Sequence, residues 1–145
     1  MTIETSAKLV PVKIHADDRG FIYQIFQSSE QLFPEVKRVY IVGNFGKGIV
    51  RGFHRHLEEW KYFFVANGSA KFVLVDENKK IDSYILSSKK PSVLVVPPKL
   101  YNGWVSLEDD TLLIAMSNKT LEESQKDDYR TDPFAFGDVW TVKGR

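Results

Sequence analysis

The sequence predicts an all-β jelly-roll, a β-barrel or sandwich with little helix. Two observations carry that prediction. Eight short runs rich in Val, Ile, Phe and Tyr follow one another, most of them separated by turn chemistry. No strand–helix–strand alternation interrupts them, so nothing points to a parallel sheet. The length of 145 residues suits one domain over residues 1–145, and no linker, repeat or low-complexity segment marks a second.

The runs come in order. "GFIYQIF" follows the polar turn "DDRG", and "KRVYIVGNF" leads into the glycine-rich turn "NFGKG". "WKYFFVANG" and "AKFVLVD" flank the turn "ANGS", which reads as a hairpin. "IDSYILS" lies between "DENKK" and "SSKKP", two solvated turns. "SVLVVPP", "NGWVSLE" and "TLLIAMSN" complete the series, the last two separated by "LEDD". "SSEQLFPEV" is expected to hold a helical turn before Pro34, and the polar "TLEESQKDDYRTDPF" one short helix or a surface excursion. Trp60, Trp104 and Trp140 are expected to pack rather than to stack on bases, and His15 to be solvated.

Composition narrows the function classes. Hydrophobic residues make up 43% and aromatic residues 13%, enough for an ordinary core. Twenty basic residues stand against 19 acidic ones, which excludes a general nucleic-acid or membrane-surface binder but leaves room for a local basic pocket. There is no cysteine, hence no disulfide, thiolate ligand or cysteine nucleophile. The first residues lack the basic start and apolar core of a signal peptide, and no apolar run approaches a membrane span. The expectation is a cytoplasmic protein without nucleic-acid or membrane partners.

The stretch "VRGFHRHLEEWKYFF", from Val50 to Phe64, holds two of the three histidines. In an extended segment His54 and His56 share a face, and Phe53, Arg55 and Leu57 take the other. If the histidines point into a barrel they meet in a pocket. Histidine is the natural proton shuttle near neutral pH. A nearby lysine favours its neutral, basic form, and can stabilise charge on an enolate oxygen. His54, His56, Lys61 and Arg51 together therefore suit proton abstraction next to a carbonyl and would attract an anionic substrate. The plainer alternative is a pair of half-buried polar residues at a barrel mouth.

This stretch and the one around Pro97 resemble the two cupin signatures. Gly48, five residues, His54 and His56, then Gly68 keep the spacing of the first. Lys61 stands where that signature has a glutamate, and Asn102 where the second has a histidine. An ammonium has no lone pair to donate, so the spacing implies the cupin fold and argues against a metal cofactor.

More of the chain shares a resemblance. "DDRGFIYQIF", "VYIVGNFGKGIVRGFH", "KYFFVANGSAKFVLVD", "VLVVPPKLYNGWVSLEDDTLLIAMSN" and "YRTDPFAFGDVW" are similar, in that order, to dTDP-4-dehydrorhamnose 3,5-epimerases. The resemblance implies a metal-independent jelly-roll homodimer acting on a nucleotide-diphosphate 4-keto-6-deoxy sugar. By position it implies His54 as base, in a dyad with Asp132, and Lys61 at the enolate oxygen. It implies Arg51 and Arg19 on the diphosphate, with Arg19 serving the neighbouring subunit, and Asn44 at the nucleotide end.

The departures are specific. The family's acidic tyrosine is missing from "TLLIAMSN", where Ile114, Ala115 or Met116 occupies the zone. A pocket histidine becomes Asn102, and the glutamate after "DRGF" becomes Gln24. Tyr101, next to Asn102, is one candidate to replace the lost acid. The His-x-His pair is also similar to the sugar 3,4-ketoisomerases, which carry two histidines here and a tyrosine upstream, matched by Tyr40. Three activities remain open from the sequence: epimerisation at C3, C5 or both, 3,4-ketoisomerisation, and carbohydrate binding without turnover.

Overall fold

The structure is a computed structural model in which residues 6–27 and 34–144 are described. The twelve strands among them are β1 (Lys8–Pro11), β2 (Ile14–Asp17), β3 (Gly20–Tyr23), β4 (Arg38–Asn44), β5 (Val50–Arg55), β6 (Lys61–Asn67), β7 (Ser69–Val75), β8 (Ile81–Ser87), β9 (Ser92–Val96), β10 (Tyr101–Ser106), β11 (Thr111–Ser117) and β12 (Tyr129–Arg130). A helix among the described residues, α1 (Leu121–Gln125), lies in the polar stretch for which one short helix or a surface excursion was expected. The helical turn expected before Pro34 falls on residues outside the described ones.

Two five-stranded sheets pack face to face, in the orders β1-β9-β6-β11-β4 and β12-β5-β10-β7-β8, while β2 and β3 form a separate hairpin. Every pairing is antiparallel, as all-β sandwiches require when tight turns join neighbouring strands. The sandwich interior gathers Phe63, Val65, Phe72, Leu94, Trp104 and Leu113. Phe72 stacks on Trp104 with ring centroids 6.0 Å apart.

Strand β6 is buried at five consecutive residues, because both of its faces are covered. Phe63 and Val65 face the interior, while Tyr62 and Phe64 face outward into a second cluster closed by Val10, Tyr23, Ile25 and Phe26. The other sheet is covered in the same way: Phe53, Val73, Val75 and Val105 pack under Trp140 and Phe136. All three tryptophans pack, with Trp104 and Trp140 each 5% exposed and Trp60 against the second cluster. His15 is exposed. The run "GFIYQIF" is strand only through Tyr23, since Ile25 and Phe26 leave the hairpin to cap β6.

One irregularity positions the site. Asn102 pairs with His54 and Trp104 with Arg51, so two steps along β10 match three along β5. The extra residue is a β-bulge at Gly52–Phe53. A strict period of two from His54 would send Arg51 to the outer face with Phe53; the bulge turns it inward. Glycines make the bulge possible. A Cβ on Gly103 would sit 2.9 Å from Trp140 Cη2 and 3.0 Å from the Arg51 carbonyl, and one on Gly52 would sit 3.0 Å from Gly103 Cα.

Candidate functional site

A pocket of about 490 Å³ opens between the two sheets at one end of the sandwich. Arg38, Tyr40, Lys61, Phe63 and Leu113 line it from one sheet. Arg51, His54, His56, Asn102 and Trp104 line it from the strand and loop of the other. Ser124 and Gln125 of α1, then Asp128 and Arg130, close the third side.

His54 and His56 therefore do share a face, and it is the interior one. His54 Nδ1 lies 3.5 Å from Asp128 Oδ1, a buried oxygen with no hydrogen-bond partner of its own. A carboxylate can only accept, so a neutral ring that turns Nδ1 toward Asp128 carries its hydrogen there and leaves Nε2 unprotonated. Burial lowers the His54 pKa below its ordinary 6.5, Arg130 and His56 push the same way, and Asp128 opposes them in part. Asp128 Oδ2 accepts from Arg130 Nε at 2.9 Å. Burial raises the Asp128 pKa, but Arg130 and His54 outweigh it and hold the carboxyl below its ordinary range.

This geometry corrects the dyad expected from the resemblance. Asp132 is exposed, and its Oδ1 accepts from the backbone N–H of Phe134 at 2.8 Å in a local turn. The chain reaches Asp132 only after β12 has paired with β5 and Thr131 has exchanged backbone hydrogen bonds with Phe53, which faces the outer cluster. Asp128, before that crossing, is the carboxylate beside His54. Both fit the sequence signal of an aspartate near "YR"; only the path of the chain separates them.

On the facing wall, Lys61 is 6% exposed. Its Nζ donates to the Tyr40 hydroxyl at 2.7 Å and lies 3.0 Å from Glu59 Oε2. Tyr40 is the cross-strand partner of Ala115. Leu113 and Ala115 point inward, while Ile114 and Met116 face the outer cluster. Alanine at 115 leaves its neighbour's ring and hydroxyl to fill that part of the interior wall.

Glu59 is a residue that sequence reasoning missed. It is 1% exposed and gathers Arg38, Lys61, Ser117, Ser124 and His56 around one carboxylate. Burial raises its pKa; Lys61, the two hydroxyls and His56 outweigh that and keep it below the ordinary value. A signal was available: a glutamate two residues before an inward lysine shares its strand parity.

The anion-binding candidates separate. Arg51 Nε donates to Asn44 Oδ1 at 2.7 Å and one Nη2 to the Gly43 carbonyl at 3.2 Å, which leaves the rest of the guanidinium to the pocket. Asn44 was expected to touch the nucleotide. Instead it is 2% exposed, and its Nδ2 donates to the Ile49 carbonyl and Ser106 Oγ. It orients Arg51 from behind. Asn102 does line the pocket, donating from Nδ2 to the His54 carbonyl at 3.2 Å.

Three further candidates stand elsewhere. Tyr101 has the opposite parity to Asn102 on β10, packs on Phe136 in the outer cluster and carries Arg55 over its ring, away from the pocket lining. Gln24 is exposed in a groove beside Tyr23 and Ile25, on the outer side of β6. Arg19 sits at the exposed tip of the β2–β3 hairpin, paired with Asp17, away from the pocket of its own chain.

Known proteins resemble the chain over nearly its whole length. The spore coat polysaccharide biosynthesis protein SpsL of Bacillus subtilis is 26% identical over 140 residues, spanning 90% of this chain and 92% of SpsL. The dTDP-4-dehydrorhamnose 3,5-epimerase from Sulfolobus tokodaii superposes with a TM-score of 0.82 at 25% identity, over 99% of this chain and 85% of that one. QdtA, a sugar 3,4-ketoisomerase from Thermoanaerobacterium thermosaccharolyticum solved with TDP, superposes with a TM-score of 0.74 at 23% identity, over 88% of this chain and 90% of that one. Residues 5–140 match the family described as FdtA: WxcM-like, C-terminal, and the chain belongs to that family.

Proposed function

We propose that this protein is a sugar-nucleotide isomerase. It removes the proton from a carbon next to the C4 ketone of a nucleotide-linked 4-keto-6-deoxy sugar and returns one to the opposite face, epimerising C3, C5 or both. The observation that carries this reading is a base and a hydroxyl on facing walls: His54 backed by Asp128 on one, Tyr40 against Lys61 on the other. Inversion of a stereocentre needs a donor opposite the base. The relatives support the substrate class, since a polysaccharide biosynthesis protein, an epimerase and a ketoisomerase are among them.

In the reaction, His54 Nε2 accepts the proton and the C–H electron pair moves to the C4 oxygen as an enolate. The Lys61 ammonium stabilises that oxygen. Collapse of the enolate takes a proton from Tyr40 on the other face, and Tyr40 stands in for the tyrosine missing from β11. The imidazolium and the tyrosine then re-equilibrate with water. Arg51 takes the diphosphate, with Asn44 fixing its orientation. None of these steps needs a metal, and the first cupin signature carries Lys61 in place of a ligand.

A homodimer completes the reading. Phe21 and Ile22, beside Arg19, are 71% and 73% exposed, and Val39 and Ile41 on edge strand β4 are 60% and 64% exposed. Apolar side chains grouped this way favour burial against another copy, with Arg19 serving the partner's pocket. A nucleotide-linked substrate suits the cytoplasm, and no helix among the described residues is long and apolar enough to cross a membrane.

A second reading, 3,4-ketoisomerisation, is favoured by the two histidines side by side at the pocket. Incubation with dTDP-4-keto-6-deoxyglucose in deuterated water, followed by proton NMR, separates the two. Deuterium at C3 or C5 is the expected result; migration of the ketone to C3 selects the isomerase. Binding without exchange for any such sugar refutes both and leaves a carbohydrate-binding protein. His54→Asn should lower exchange by about 10²- to 10⁴-fold while still binding dTDP.

A further inference from the structure

Glu59 is a buried titratable group that the proposed reaction does not use. It lies on neither wall but between them. Oε1 accepts from Ser124 Oγ at 2.6 Å and lies 3.3 Å from His56 Nδ1. Oε2 accepts from Ser117 Oγ and from Arg38 Nη2, the latter at 3.2 Å, and lies 3.0 Å from Lys61 Nζ. These partners come from β4, β6 and β11 of one sheet, from the residue that follows β5, and from α1.

Two consequences follow from donor and acceptor counting. His56 Nδ1 is 2.5 Å from the Asp127 carbonyl and also faces Glu59 Oε1. Flanked by oxygens that only accept, Nδ1 must carry the hydrogen, which leaves Nε2 as the free nitrogen of the neutral ring. Lys61 Nζ is shared between Glu59 and the Tyr40 hydroxyl, so the carboxylate also fixes the ammonium against the tyrosine.

We propose that Glu59 is the positioning residue of the site, setting the His56 ring, whose Nδ1–H meets the Asp127 carbonyl, and holding Lys61 against Tyr40 with a single carboxylate. It acts through both walls at once, which no residue lining only one wall can do. An amide in its place has one donor end, and each end of the side chain meets a group that can only donate, Lys61 and Arg38 on one and the His56 Nδ1–H on the other, while the Ser117 and Ser124 hydroxyls could also accept. Glu59→Gln therefore disrupts one arm whichever way it turns.

The catalytic half of this inference rests on the proposed reaction, and the tautomer does not. Long-range proton–nitrogen spectra of uniformly ¹⁵N-labelled protein read the tautomer directly. The wild type should show His56 as Nδ1–H, and Glu59→Gln should displace its ring nitrogen shifts as the ring leaves its place between Glu59 and the Asp127 carbonyl. The dTDP affinity should stay within about threefold, because Arg51 is held by Asn44 instead. Deuterium wash-in should fall by about 100-fold with a displaced pH profile, and Glu59→Asp should recover part of it.

A wild-type His56 in the Nε2–H form overturns the proposal, as does a Glu59→Gln protein with unchanged His56 shifts and exchange. If the wild type exchanges no sugar proton yet Glu59→Gln displaces the His56 ring shifts, the reaction fails and the positioning role stands. Should Glu59→Gln not fold, the wild-type spectrum decides the tautomer. Ser124→Ala, which removes one Oε1 donor, should then displace the His56 shifts; no displacement counts against the proposal.

Discussion

At the residue scale, the protonation of His54 decides when the site can work. Burial, with Arg130 and His56, holds its pKa below 6.5 against the partial opposition of Asp128. The acid limb of kcat/KM for deuterium exchange should therefore lie below pH 6.5, in a pH–rate profile on wild-type protein. A limb above that value would mean that another group is the base. The two aspartates give a sharper contrast. Asp128→Asn keeps one acceptor oxygen for Arg130 Nε and so turns an N–H donor toward His54 Nδ1, which favours the wrong tautomer and should cost about 10²- to 10⁴-fold in exchange. Asp132→Asn should leave exchange close to wild type, because Asp132 serves a turn. Arg51→Lys keeps the charge but loses the fork held by Asn44; dTDP affinity should drop by about 10- to 100-fold in calorimetry.

At the element scale, the bulged pair β5–β10 and helix α1 build adjoining sides of the pocket. The bulge brings Arg51 and His54, three residues apart, to one face. Gly103→Ala places a Cβ against Trp140 and the Arg51 carbonyl, neither able to withdraw freely. It should destabilise by about 1–3 kcal/mol in urea unfolding and weaken dTDP binding through Arg51. Helix α1 is short, and its start is secured by a capping box in which Thr120 Oγ1 accepts from Glu123 N–H and Glu123 Oε1 accepts from Thr120 N–H. It carries Ser124 to Glu59 and leads the chain to Asp127 and Asp128. Asp127 in turn accepts from the backbone N–H groups of Leu57 and Glu58, which pins the end of β5 beside it.

At the scale of the whole molecule, buried Glu59 and half-buried His54 link stability to pH. The folded state holds Glu59 below its ordinary 4.5, so its contribution is present above that value and is lost as pH falls through the lowered pKa. The folded state also holds His54 below 6.5, so the unfolded chain binds the extra proton first and stability begins to decline as pH drops past 6.5. The melting temperature should be level from about pH 8 to 7 and then fall in two stages. His54→Asn should remove the upper stage alone; a melting curve unchanged by that substitution would dissociate His54 from the decline. The proposed dimer belongs to this scale too. Sedimentation should give twice the monomer mass, and Phe21→Glu with Ile41→Glu should shift it toward the monomer.

The sequence by itself determined the β architecture, since short β-branched and aromatic runs punctuated by Gly, Asn, Asp and Pro leave few alternatives. Period-two alternation also put His54 and His56 on one face, and Lys61 in an apolar strand announced a purpose. The strands at the start of the chain, β1 and β2, gave weaker signals, because only part of their surface is buried. Tertiary structure decided the rest. Arg51 reaches the pocket through a bulge that breaks the period. Asp128 replaces Asp132 because the chain crosses to the outer face between them. Tyr40 meets Lys61 because β4 and β6 both flank β11, a fact of strand order rather than of spacing. Glu59 became visible only when five donors from one sheet, from the residue after β5 and from a helix converged on it. Local periodicity encodes which face a side chain takes; which strands become neighbours is settled by non-local pairing, where no local pattern is written.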